Sequence, residues 1–292
     1  MKMIKADQYF LQNVRKIIVR GNVTKGSRTI WEDTGERAES KYITNVVMEY
    51  DISKREFPIN TYRTTALKNA FYDIEAIFIK QTNRIADMHP NIHSWWIPFV
   101  VNKDDDPSEW HIGQTYGHTV ERYDLMNKLL HKLQHDPFNR RKIIDLWQEQ
   151  QMEEDPKALV PCCKETIWEV RDVNEIRYID QFLNQRSQDY LLTASINPAQ
   201  YTMLLLMVCG HLNFHTDKVH RPGKLTHHVS NLHLYDRHLP IALDLIKSSP
   251  VGIQPTIELL ADKDFYSYTW EDFKVTMPEG IKRLSKRPPM AI

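Results

Sequence analysis

Neither sign of charge prevails in this chain: Lys and Arg together number 38, and so do Asp and Glu. A dedicated nucleic-acid binder carries a basic excess, so DNA is not an expected partner, although a local basic site for one small phosphate remains compatible. Cysteine is scarce, with three in the chain and two of them adjacent, which is no basis for a disulfide framework. Long apolar runs are missing too. The longest, MLLLMVC from Met203, has the length of a core helix, and the opening MKMIKADQYFLQNVRK lacks the apolar stretch of a secretion signal. These absences point to a reducing, cytoplasmic setting (host cytoplasm if the source is viral) and to no membrane span.

What is present is an ordinary globular composition, 41% hydrophobic and 26% charged over 292 residues. That is enough chain for a sizeable core. Apolar spacing predicts a helix over 9–20 (Phe10, Val14, Ile17, Ile18), a second over 67–81 (Leu67, Ala70, Phe71, Ile74, Ile77, Phe78) and a third over 120–135 (Tyr123, Met126, Leu129, Leu130, Leu133). The run Pro198 to Leu212 is apolar nearly all round and predicts a helix buried on most sides. Strand composition marks KYITNVVMEY, RRKIIDLW and TIWEVRD. In LTHHVSNLHLY, alternation puts His227, Val229, Asn231, His233 and Tyr235 on one face. Residues 91–106 read as a loop-rich excursion, and no repeat or low-complexity tract interrupts the chain. The expected architecture is α+β in a single domain spanning 1–292, with helices packed on a strand-rich layer.

Chemistry concentrates between Leu159 and Asn197, in LVPCC, QRSQD and SIN. Cys162 offers a nucleophile if positive charge favours its thiolate; the alternative is a small buried residue paired with Cys163. QRSQD reads as a turn whose Arg186 and Ser187 suit a phosphate, and Arg186 beside a thiol would activate it. Arg140 and Arg141 are either a solvated pair or a second phosphate clamp. Asn197, followed by Pro198, has the look of a helix N-cap; its amide also has the donor and acceptor needed for a uracil edge. His233 and Tyr235 are either half-buried strand residues or ligands of a sugar hydroxyl. His211, His215 and His220 suggest a metal motif, but no glutamate adjoins a histidine there, so no metal is expected.

Taken together, DPFNRRKII, LVPC, QRSQD, Asn197 and NLHLYDRH, in this order, resemble the thymidylate synthase family, from SRTIWEDTG to the terminal PPMAI. The resemblance implies that family's fold, with a mixed sheet that also forms a homodimer interface. It implies folate-dependent one-carbon transfer to C5 of dUMP, with 5,10-methylene-tetrahydrofolate as co-substrate and no metal. Cys162 would add to C6 of the ring. Arg28, Arg186, Ser187 and Gln185 would bind the nucleotide, with Arg140 and Arg141 reaching its phosphate from the second subunit. Asn197 would read the uracil edge, and His233 and Tyr235 the deoxyribose. Tyr116 would help proton transfer at C5, Trp95 would border the reacting carbon, and Asp189 would contact the pterin. The tail over 286–292, ending in Ile292, would close as a lid.

Some positions depart from the family pattern. Asp73 falls where the family has a proton-managing glutamate, and Glu75, two residues on, is turned away from it around the helix. Cys163 stands where many members have histidine, and Ile167 where glutamine is usual. Around the folate, Ser94, Pro98, Thr193 and Ile196 replace isoleucine, tryptophan, glycine and phenylalanine. A looser, wetter folate pocket would give hydroxymethyl rather than methyl product, so a dUMP 5-hydroxymethylase is the main alternative. A homologue that binds nucleotide or RNA without turnover is the other.

Overall fold

The structure is a computed structural model and describes residues 3–286 and 288–292. Six strands form its main sheet, in the order β1 (Asn22–Val23), β2 (Ser40–Asp51), β6 (Val219–Tyr235), β5 (Ile176–Asp189), β4 (Cys163–Val173) and β3 (Ile143–Asp145). Only β5 and β6 run parallel; the other four pairings are antiparallel. β7 (Thr256–Leu259) and β8 (Phe273–Thr276) make a small separate ladder. The expected α+β fold with a mixed sheet is the one observed.

Helix α1 (Lys5–Arg20) buries Phe10, Val14 and Ile17, the stripe its sequence spacing marks. Helix α2 (Leu67–Ile74) does not continue regularly to residue 81: Glu75–Ile79 widens into a π turn, a feature frequent at functional sites. Asp73 is buried on α2, while Glu75 pairs with Lys80 at 3.3 Å, turned away as its spacing predicts. Within 91–106 the expected loop includes a short helix, α3 (Pro90–Trp96), started by proline in its first turn. The predicted 120–135 helix is two, α4 (Gly117–Arg122) and α5 (Leu125–His135), because Asp124 adopts a left-handed conformation between them.

After α6 (Glu149–Glu154) the chain enters β4 through a bulge between Cys163 and Glu165, which leaves Cys162 at the strand's mouth. QRSQD is not a turn. It is the end of β5, a 14-residue strand whose inward positions include Ile179, Gln181, Leu183 and Gln185. Two glutamines on the buried face break the alternation that would have revealed the strand. Helices α7 (Tyr190–Thr193) and α8 (Ile196–His215) follow; α8 is buried from Pro198 to Leu212, as its uniformly apolar sequence requires. Helix α9 (Leu239–Lys247) packs beyond β6. No described helix is long and apolar enough to cross a membrane.

Candidate active site

Cys162 is half-buried where the loop from α6 meets β4. Its neighbour Arg186, near the end of β5, donates from Nε to Pro161 O at 2.8 Å and from Nη2 to Val160 O at 2.8 Å. Those bonds latch the guanidinium to the loop, so that Nη2 lies 3.8 Å from Cys162 Sγ. Burial pushes the Cys162 thiol above its ordinary pKa, and the Arg186 charge offsets only part of that rise. The expected activation by Arg186 is therefore present in direction but does not prevail in the free protein. Cys163 is buried with its thiol pushed well up by burial, in keeping with an inert packing role.

Tyr116 sits on the other side of the cysteine. Its hydroxyl oxygen accepts from the Cys162 backbone N–H at 3.0 Å, which leaves its own proton available to a ligand. The residue holds φ 48°, a strained conformation for a side-chain-bearing residue, at the start of α4. Gly117 beside it packs directly on Thr82: a Cβ there would stand 2.3 Å from the Thr82 carbonyl oxygen. Tyr116 meets Trp96 edge-on, ring centroids 5.3 Å apart. It is Trp96 that reaches inward, donating from Nε1 to Asp73 Oδ1 at 2.7 Å. Trp95, the residue expected at the reacting carbon, is partly buried against the core.

From Asp73 a chain of side-chain hydrogen bonds runs through the site. Gln200 donates to Asp73 Oδ2 at 2.6 Å, and Asn197 donates from Nδ2 to Gln200 Oε1 at 3.0 Å. Gln185 donates to Asn197 Oδ1 at 3.1 Å, and its own Oε1 is 2.8 Å from His227 Nε2. Both ends dictate the same polarity. An ionised carboxylate only accepts, so Gln200 must present its NH2 to Asp73 and its oxygen to Asn197. At the far end Gln185 also donates to the Ser187 carbonyl at 2.9 Å, an obligate acceptor, which turns its NH2 toward Asn197 and its oxygen toward His227. Burial followed by repulsion from His228 lowers His227 to about 3, and the neutral tautomer that matches this amide donates from Nε2–H to Gln185. Asn197 keeps one N–H and one oxygen lone pair uncommitted. Its N-cap reading fails: Ser195 is the N-cap position, and Asn197 lies inside the first turn.

Burial raises Asp73 to about 6 against the opposing bonds from Trp96 and Gln200. Its carboxyl group is thus poised near neutrality, a property of proton-handling groups.

Ser187 and Asn231 are cross-strand partners, as are Asp189 and His233, so these residues share the end of the β5/β6 pair. His233 and Tyr235 stack edge-on at 4.8 Å. Asp189 caps α7 by accepting from Leu191 N at 3.1 Å and pairs with His238 at 3.2 Å. His238 Nε2 in turn contacts Pro289 O at 2.9 Å. The tail pairs with residues 30–32: Ile30 N donates to Ile292 O at 2.9 Å and Ile292 N to Ile30 O at 2.8 Å. In the tail segment expected as a lid, residue 287 lies outside the described residues. Arg28, Arg140 and Arg141 are exposed, and their guanidinium groups make no ion pair among the described residues. A cleft of about 310 Å³ between α1 and β2, lined by Tyr9, Asn13 and Val46 among others, contains none of the predicted site residues.

Trp96 and Gln200 are the residues that sequence reading missed. A glutamine alone in the apolar run of α8 was the available signal, since a buried amide needs partners.

The family model described as Thymidylate synthase matches residues 8–284. Thymidylate synthases from Streptococcus pyogenes serotypes M3 and M5 are each 36% identical over 284 residues, covering 96% of this chain and 97% of theirs. The solved structure of thermostable thymidylate synthase A from Bacillus subtilis superposes with a TM-score of 0.80 at 23% identity. It covers 98% of this chain and 99% of that one, and establishes the fold.

Proposed function

The chain belongs to the thymidylate synthase family, and we propose that it methylates dUMP at C5, taking carbon and hydride from 5,10-methylene-tetrahydrofolate and releasing dTMP and dihydrofolate. The observation that carries this reading is the placement of Cys162 Sγ 3.8 Å from the Arg186 guanidinium, beside the Tyr116 hydroxyl. The relatives, all thymidylate synthases, favour the methyl product over hydroxymethylation and over an inert homologue.

Cys162 adds to C6 of the uracil, and C5 becomes nucleophilic toward the folate's methylene carbon. Arg186, with Ser187 and Arg28, holds the nucleotide phosphate, and its charge favours the thiolate over a thiol that burial would keep protonated. The uncommitted N–H of Asn197 donates to uracil O4, and its free lone pair accepts from N3–H. Cytosine presents the opposite pattern at these two atoms, so the polarity set by Asp73 and the Ser187 carbonyl selects uracil. Gln185 serves by holding Asn197. His233 and Tyr235 flank the deoxyribose. Tyr116 and Asp73 manage the C5 proton, one through a free hydroxyl and the other through a carboxyl near its titration point. Trp95 and Asp189 border the folate, and the Ile292 tail excludes water.

Arg140 and Arg141 complete the phosphate site of a second copy in a homodimer. Their exposure and lack of ion-pair partners suit that role, and Debye screening is weaker for a phosphate held between subunits than for one on an open surface.

The direct test is product analysis after incubation with dUMP and methylene-tetrahydrofolate. dTMP with dihydrofolate is the expected outcome; 5-hydroxymethyl-dUMP with tetrahydrofolate would replace this reading by the hydroxymethylase one.

A further inference from the structure

Helix α8 carries Asn197 in its first turn and, roughly 20 Å away along its axis, a pair of histidines near its end. His211 and His215 are one turn apart on one face, their ring centroids separated by 4.4 Å. Asp264, from the segment between β7 and β8, comes against both. Its Oδ2 is 3.0 Å from His215 Nε2 and 3.6 Å from His211 Nδ1. One donor atom from each of the three lies within 4.8 Å of the others.

We propose that His211, His215 and Asp264 form a site for a divalent transition-metal ion of the zinc class, which clips the end of α8 to the 264–268 segment. This site is independent of the reaction at Cys162.

Donor atoms on a tetrahedral ion with bonds of about 2.0–2.1 Å stand roughly 3.3 Å apart, between the two separations seen here. Asp264 is already oriented: its Oδ1 accepts from Tyr266 N at 3.1 Å, which turns Oδ2 toward the rings. The Phe265 N–H donates to His211 Nδ1 at 3.1 Å, so that nitrogen carries a lone pair; an ion exchanges this hydrogen bond for a coordinate bond. The side chains of His215 and Asp264 are 36% and 41% exposed, which gives an ion a route in and room for a water as fourth ligand. Two imidazoles and one carboxylate suit zinc, nickel or copper better than magnesium or calcium.

The sequence groups His220 with these histidines and places no glutamate beside any of them. His220 stays apart, on β6 beside Arg177 and Asp172, and the donor it was taken for is Asp264, distant in sequence. Without an ion the same atoms make an ordinary His215–Asp264 pair, and a metal titration separates the two readings. The molecule supplies its own control. His131 and His135 on α5 have the same spacing, with ring centroids 4.5 Å apart, and no grouped third donor among the described residues.

The test uses the full chain, stripped with chelator and titrated with Zn2+ against a chromophoric competitor. One Zn2+ per chain is expected, with affinity falling at least tenfold in His215→Ala and in Asp264→Asn and unchanged in His131→Ala. The stoichiometry should persist in Cys162→Ser, since the catalytic thiol is not a ligand. Excess Zn2+ should raise the unfolding midpoint of the wild type but not of His215→Ala. No Zn2+ uptake by the wild type, or uptake undiminished in both His215→Ala and Asp264→Asn, would overturn the proposal. Both substituted positions are at the surface, so the variants are expected to fold.

Discussion

Gln200 donates to the Asp73 carboxylate at 2.6 Å and thereby turns its oxygen toward Asn197. The carboxylate on α2 thus fixes which way an amide on α8 faces, two side chains away. Replacing Gln200 by Leu leaves Asp73 with Trp96 alone and frees the Asn197 amide to rotate. Losing such a buried partner costs about 1–3 kcal/mol, and if that loss is felt at Asn197, dUMP affinity should fall roughly 5- to 150-fold. The preference for dUMP over dCMP should shrink with it. Equilibrium binding of the two nucleotides measures both effects; an unchanged ratio would detach Asp73 and Gln200 from base selection.

The raised pKa of Asp73 makes a signed prediction for stability. Its folded value of about 6 exceeds the usual carboxylate value of 3.8, so the folded state binds this proton more tightly than the unfolded chain does. Stability from this group is full below about pH 4 and declines as pH rises to about 6, by roughly 3 kcal/mol. Asp73→Asn should abolish that decline. The difference in unfolding free energy between wild type and variant, followed from pH 4 to pH 7, isolates it from carboxylates that titrate in the opposite sense.

His238 ties Asp189 to the tail. Burial alone would lower its pKa, but Asp189 and the Pro289 carbonyl outweigh it and the pKa is raised above 6.5. The clamp is therefore complete below that value and weakens as pH rises through the folded pKa. Trimming of the C-terminus by a carboxypeptidase should accelerate with pH in that range, and in His238→Gln it should be fast throughout.

Arg140 and Arg141 test whether the site is shared between subunits. Cys162→Ser and the double variant Arg140→Ala/Arg141→Ala should each be inactive as purified proteins. Mixed and allowed to exchange subunits, they should regain about a quarter of wild-type activity, because half the dimers then hold one intact site. No recovery despite demonstrated exchange would place both arginines in the subunit whose Cys162 they serve.

Much of this was legible in the residues themselves. The helical stripes through Phe10 and Phe71 are buried as their spacing dictates, and the motifs from Arg186 to Tyr235 converge on two neighbouring strands. Strand β5 was hidden because Gln181 and Gln185 occupy inward positions where alternation expects apolar side chains. Trp96 escaped notice because the resemblance points only to Trp95, and periodicity on so short a helix does not show that the second tryptophan turns inward to Asp73. The role of Gln200 depends on Asp73, 127 residues earlier, and only the packing of α2 against α8 brings them together. Asp264 escaped notice for the same reason, since the loop that carries it meets α8 only in the fold.

The proposed reaction depends first on the sulfur of Cys162. Incubation with 5-fluoro-dUMP and methylene-tetrahydrofolate, followed by intact mass and peptide mapping, examines it directly. A ternary adduct on the peptide bearing Cys162, absent in Cys162→Ser, is predicted. A protein that binds the nucleotide yet shows no mass increase, or carries it on another residue, would contradict the account.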